Sequence, residues 1–102
     1  MMHDQDVLEW LQNWYLSQCN EDWEHEYGIT IETIDNPGWY MTIDLTDTVY
    51  AEKYLTSQKY EASSNDWYFY FIKDGKFEAS CSPCNLTKVL SIFREWIQSY
   101  ER

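Results

Sequence analysis

From Val7 the apolar residues recur at Leu11, Trp14 and Tyr15, with Leu8 and Leu16 widening the stripe. That spacing predicts an amphipathic helix running to about Cys19 with this face buried. Asp4 or Asp6 supplies its N-cap, because a short side-chain oxygen at that point accepts one of the unpaired first-turn N–H groups. From Gly28 the period falls to two. Ile29 and Ile31 alternate with Thr30 and Glu32, and after "DNPG" Trp39, Met41, Ile43 and Leu45 alternate with Tyr40, Thr42 and Asp44. This is the pattern of a β-hairpin with one wet face. Opposite residues of an antiparallel pair share a face, so the expected register sets Ile31 against Ile43 and Thr30 against Asp44, with Asn36, Pro37 and Gly38 as an odd-length loop.

The stretch "TSQKYEASSNDWYFYFIKDGKFEAS" reads as three further strands, joined through Ser64-Asn65-Asp66 and through Asp74-Gly75, the second being the stronger turn. Trp67 to Ile72 is almost entirely aromatic or apolar, as expected of a central strand covered by helices on one face and partly masked on the other. Tyr68 and Tyr70 are assigned to the wet face. The closing run "NLTKVLSIFREWIQSYER" sets Leu86, Val89, Leu90, Phe93, Ile97 and Tyr100 on one helical stripe, with Asn85 as the cap. The predicted architecture is α+β: an N-terminal helix, an antiparallel four- to five-stranded meander sheet and a C-terminal helix, both helices on one sheet face and the other face exposed. No repeat or linker interrupts residues 1–102. One domain of this size buries roughly 65% of the surface its unfolded chain exposes and needs no staples.

Charge changes this picture more than composition does. The first basic residue is Lys53, so residues 1–52 carry −12 and the remainder +1, for a total of −11. Such a one-sided field repels nucleic acid and anionic membranes and steers a basic partner. The longest strongly apolar stretch, Trp67 to Ile72, is too short to cross a bilayer. Three cysteines, an odd number, and the absence of a charged-then-apolar leader lead to the expectation of a cytoplasmic protein with free thiols.

Two of those cysteines form "CSPC", Cys81 and Cys84, where a strand gives way to a helix. A thiol at a helix N-terminus has a lowered pKa, which favours thiol–disulfide chemistry. A thioredoxin-like domain, however, needs a hairpin and a helix after the motif, and only eighteen residues follow Cys84, with no proline beyond Pro83. A thiol-dependent enzyme therefore stands as the alternative reading. A zinc site from Cys19, His25, Cys81 and Cys84 would have ligand-like spacing only within the Cys-x-x-Cys pair, and the acids lack a calcium-loop pattern. His3 and His25 lie near no nucleophile. No catalytic residue, metal or cofactor is expected.

In "NEDWEHEYG" the acids Asp22, Glu24 and Glu26 alternate with Trp23, His25 and Tyr27. An extended backbone there would put three carboxylates on one side, among aromatic rings able to exclude water from ion pairs. The competing reading is that Trp23 and Tyr27 plug the core while the acids solvate the loop. "DNPGW" is first a turn device, although Asp35 and Trp39 could project toward a partner or cap the core. Thr30, Glu32, Tyr40, Thr42 and Asp44 make the wet sheet face, either a binding platform or an ordinary surface.

The runs "WLQNWYLSQCNEDWEHEYGITIETIDNPGWYMTIDL" and "NDWYFYFIKDGKFEASCSPCNLTKVLSIFREW" together resemble the immunity protein 53 family of bacterial polymorphic-toxin systems across nearly the whole chain. The most specific pieces are Trp14 and Tyr15, "DWEHEYG", "DNPGW", the Asp66-Trp67 pair and the pattern from Asn85 to Trp96. The resemblance implies a protein that binds a cognate toxin domain inside the producing cell and blocks it without catalysis, with Cys81 and Cys84 incidental. The candidate toxin-binding residues are Asp22, Trp23, Glu24, Glu26, Glu32, Asp35, Trp39, Tyr40, Asp44, Asp66 and Trp67. The expected partner is a cognate, basic protein, with no nucleic acid and no membrane, and the chain is expected as a monomer or weak homodimer. An acidic adaptor for some other basic protein is a further alternative.

Overall fold

The computed structural model describes residues 6–101. In chain order these form helices α1 (Val7–Gln18) and α2 (Trp23–Glu26), strands β1 (Ile29–Ile34), β2 (Gly38–Asp44), β3 (Leu55–Ser63), β4 (Asp66–Lys73) and β5 (Lys76–Cys81), and helix α3 (Leu86–Ser99). The expected α+β arrangement is present, with one five-stranded antiparallel sheet. Its strand order is β1-β2-β5-β4-β3, so the β1–β2 hairpin joins the β3-β4-β5 meander through β5, the middle strand, and β4 is an interior strand paired on both sides, as expected.

Asp6 caps α1, its Oδ2 accepting the Glu9 N–H at 3.2 Å, while the alternative cap Asp4 lies outside the described residues. Val7, Leu11 and Trp14 are buried as the periodicity predicts. The wider stripe is not, for Leu8, Tyr15 and Leu16 are 54%, 39% and 69% exposed. One shoulder of α1 overhangs the sheet edge, where Leu8, Leu11, Gln12, Tyr15 and Ile29 line an open groove.

The hairpin register differs from expectation by two residues: Ile31 pairs with Met41, Thr30 with Thr42 and Ile34 with Gly38, which leaves Asp35, Asn36 and Pro37 as the loop. A shift of two preserves which side chains share a face, so the expected wet and dry faces survive. Glycine is required at position 38 because a Cβ there would run into the Cys81 carbonyl oxygen of the neighbouring strand. At the β4–β5 turn Asp74 and Gly75 both have positive φ, 54° and 77°. This is the backbone of a two-residue hairpin turn whose twist matches the strands.

Both helices lie on one face. Val7, Leu11 and Trp14 of α1 and Val89, Leu90, Phe93 and Ile97 of α3 form one core with Met41, Ile43, Leu45, Ile72, Phe77, Ala79 and Cys81. Phe93 sits at its centre, 5.2 Å from the Trp14 ring, 5.1 Å from Phe77 and 6.0 Å from Trp10. Tyr100, expected on the buried stripe, is 46% exposed. Its ring instead edges Trp96 and the buried Tyr50 at the end of the helix.

Asn85 occupies the N-cap position of α3, but its side chain makes no cap bond. Its Nδ2 donates to Asp66 Oδ1 at 3.0 Å, to Ser82 Oγ at 2.9 Å and to the Trp67 carbonyl at 3.2 Å. These bonds pin the start of β4 to the start of α3 and draw the amide away from its own helix.

Candidate partner-binding surface

The sheet face turned away from the helices follows from the register, because directly paired residues of neighbouring strands point to the same side. One row across it runs Glu32, Tyr40, Ser80, Phe69, Lys59. The next holds Thr30, Thr42, Glu78 and Phe71, and a third pairs Trp67 with Glu61. Trp67, Phe69 and Phe71 therefore form a half-buried stripe along β4 on the face opposite the helices. Phe69 and Phe71 meet edge to face, their centroids 5.8 Å apart. Beside them Asn36, Lys59, Glu61, Trp67, Phe69 and Ser80 line a cleft of about 490 Å³. Tyr68 and Tyr70, expected on this face, belong to the other one: they share rows with Cys81 and Ala79 and pack against the core. Burial holds the Tyr70 hydroxyl above its ordinary pKa.

Polar groups border the aromatic stripe. The Tyr40 hydroxyl donates to Glu78 Oε1 at 2.8 Å, and this bond, with desolvation and the charges of Glu78 and Glu32, raises the tyrosine pKa. The bond fixes the Glu78 carboxylate beside Tyr40 on the open face. Lys59 pairs with Glu61 at 3.5 Å on the exposed rim, an ion pair of little energetic worth. Asp44 shares its row with Lys76 and Lys73, which puts these two cations at one end of the face, while Lys59 lies on the β3 edge, Glu78 on the middle strand and Glu32 on the β1 edge.

Of the residues singled out in the sequence, the structure brings Glu32, Tyr40, Asp44 and Trp67 onto this one face. The "NEDWEHEYG" group lies elsewhere, and its backbone is a helical turn, not an extended strand, so Asp22, Glu24 and Glu26 do not form a row. Trp23 is 1% exposed and stands perpendicular to Trp14 at 6.1 Å, which makes it a core residue and not a surface anchor. The Glu24 carboxylate accepts the N–H groups of Asn20 and Glu21 at 2.9 and 2.8 Å. Its pKa lies below the usual value, through its own backbone N–H first and then those two. Glu24 thus holds its loop together, leaving Asp22 and Glu26 exposed. Trp39 lies on the helix-bearing side and donates Nε1–H to the Pro83 carbonyl at 3.0 Å. Asp35 is exposed in the hairpin loop, and Asp66 is occupied by Asn85 and by the Tyr60 hydroxyl at 3.4 Å.

Phe69, Phe71 and Glu78 were missed, although a usable signal existed. A two-residue Asp74-Gly75 turn sets Lys73 opposite Lys76, hence Ile72 opposite Phe77 and Phe71 opposite Glu78. Because Ile72 and Phe77 are the pair suited to the core, Phe71 and Glu78 must face out.

The "CSPC" thiols differ from each other. Cys84 is exposed, whereas Cys81 is 2% exposed and burial pushes its thiol up to about 11, the opposite direction from an activated nucleophile. This raised value has a stability consequence. The unfolded thiol ionises from an ordinary value of 9.0, so the contribution of Cys81 is complete below that pH and is lost as pH rises toward about 11. A loss on the order of 2 kcal/mol is expected across that window. In denaturant titrations the Cys81→Ala variant, less stable at neutral pH, should lose correspondingly less than wild type between the two pH values.

Among the described residues no helix is long and apolar enough to cross a membrane. No curated protein and no solved structure matches the chain significantly. The family model described as Immunity protein 53 matches residues 8–98. With that match spanning nearly its whole length, the chain belongs to the immunity protein 53 family.

Proposed function

We propose that this immunity protein binds a cognate basic toxin domain in the cytoplasm of the cell that makes both, and that it neutralises the toxin by docking through the open sheet face without catalysis. The observation that carries this reading is the half-buried stripe of Trp67, Phe69 and Phe71 on the sheet face opposite the one that bears α1 and α3. Large rings able to be desolvated, with carboxylates around them, are the composition of an interface centre for a cationic partner. The acidic half supports it through range: residues 1–52 carry −12, which draws a basic domain in before contact. Asp22 and Glu26, away from the open face, act in that field and not in the contact. Neither nucleic acid nor membrane suits so acidic a surface.

The competing thiol-enzyme reading is tested in the same experiment. The cognate toxin domain is expressed in cells with or without this chain. Wild type and the double variant Cys81→Ser with Cys84→Ser should both restore growth. Loss of protection by a double variant that still folds would transfer the function to the thiols, and failure of the wild type to protect would remove the immunity reading.

A further inference from the structure

The two edges of the sheet are unlike. Strand β3 has two register shifts and carries the Lys59–Glu61 pair, which are devices that blunt an edge against pairing with another chain. Strand β1, the other edge, pairs with β2 without a break from Ile29 to Ile34 and contains no proline, lysine or arginine. Its hydrogen-bond phase can be read. The Asp44 N–H donates to the Gly28 carbonyl at 3.0 Å, so Gly28 and Asp44 form a bonded pair. Bonded and non-bonded pairs alternate along an antiparallel ladder. Thr30, Glu32 and Ile34 therefore spend their backbone groups on β2, and Ile29, Ile31 and Thr33 point theirs out from the edge.

Beside that row of backbone groups, on the helix side, lies the groove of about 370 Å³ lined by Leu8, Leu11, Gln12, Tyr15 and Ile29. Ile31, at 36% exposure, continues its apolar floor. On the other side of the strand Thr30 and Glu32 lead onto the open face. We infer that β1 is a docking edge which takes an extended segment of the partner as a sixth strand, its side chains alternating between apolar residues that enter the α1–β1 groove and basic residues that lie beside Glu32. Main-chain bonds to Ile29, Ile31 and Thr33 supply affinity in such an addition, and alternate side chains supply specificity. Charge selects the occupant. A second copy would bring another chain of net charge −11 against the acidic half, whereas a cationic segment is complementary to it. The inference rests on the reading that the partner is the basic toxin domain, and it adds a second contact to the open face.

The test uses the full chain with the cognate toxin domain. Amide hydrogen exchange at Ile29, Ile31 and Thr33, fast in the free chain, should slow at least tenfold in the complex. The variant Thr33→Pro deletes one outward N–H at an edge position that tolerates proline; it should melt like wild type and bind at least tenfold more weakly, while Thr33→Ser binds normally. A complex that forms with these amides exchanging as in the free chain, and with Thr33→Pro binding normally, overturns the docking edge and leaves the toxin reading intact. Protection already present in a self-associated free chain also overturns it, by assigning the edge to a second copy. Failure of any complex to form overturns both readings.

Discussion

Replacing Phe93 with alanine should cost on the order of 3–5 kcal/mol. Phe93 is fully buried and stands where α1, α3 and the sheet meet, against Trp10, Trp14, Phe77 and Trp96. These neighbours are large rings fixed on three different elements, so the cavity left by truncation cannot collapse, and the edge-to-face contacts are lost along with the buried area. Domains of this size have only about 5–15 kcal/mol of stability in total, so Phe93→Ala should sit near its unfolding midpoint in modest denaturant. Urea titration followed by tryptophan fluorescence reads this directly. Leu16→Ala, at a position 69% exposed on the overhanging shoulder of α1, should leave the midpoint unchanged within error.

The second large effect is expected at the open face. Truncating Phe69 or Phe71 to alanine should weaken toxin binding by roughly 30- to 1,000-fold, which corresponds to about 2–4 kcal/mol for an anchor at an interface centre. Both side chains are only half-buried in the free chain, so the stability cost should be near 1 kcal/mol and the variants should still melt cooperatively. The loss should appear as faster dissociation, because short-range packing acts after encounter. Charge should behave oppositely. Association should slow steeply as salt screens the field within about 8 Å, and amides at Asp22 and Glu26 should slow capture with little effect on dissociation. Glu24 is unsuitable for that comparison, since its carboxylate holds the Asn20–Glu21 backbone. A rate indifferent to salt would reduce the acidity to a solubilising role.

The periods of α1 and α3, the alternation of β1 and β2 and the Asp74-Gly75 turn were legible because each is a local pattern imposed by helix or strand geometry. Several features were not, for reasons particular to them. Acid–aromatic alternation in Asp22–Tyr27 imitates a strand, but the packing of Trp23 on Trp14 and Tyr15, with Asn20 Oδ1 accepting the Asp22 and Trp23 N–H groups, selects the helical turn. In β4 both parities of "WYFYFI" are aromatic, so periodicity alone cannot say which set faces the helices; the choice is made by Ile72 against Phe77. The slip of two in the first hairpin left the faces unchanged and so left no trace in the hydrophobic pattern. Asn85 carries an N-cap signal, yet its amide is drawn to Asp66 and Ser82, which are distant in sequence or outside the helix. The pairing of β2 with β5 is likewise a long-range event with no local mark. Of the candidate site, the polar margin was read correctly as a shared face, while its aromatic centre was assigned one residue out of phase.

The central claim is that the toxin covers the face of the sheet that lacks helices. Hydroxyl-radical footprinting of aromatic side chains, with and without the toxin domain, tests it most directly. On this account Trp67, Phe69, Phe71 and Tyr40 become protected in the complex, while Tyr100, 46% exposed at the end of α3 beside Trp96, labels as it does in the free chain. Unchanged labelling of Trp67, Phe69 and Phe71 in a stoichiometric complex would contradict it.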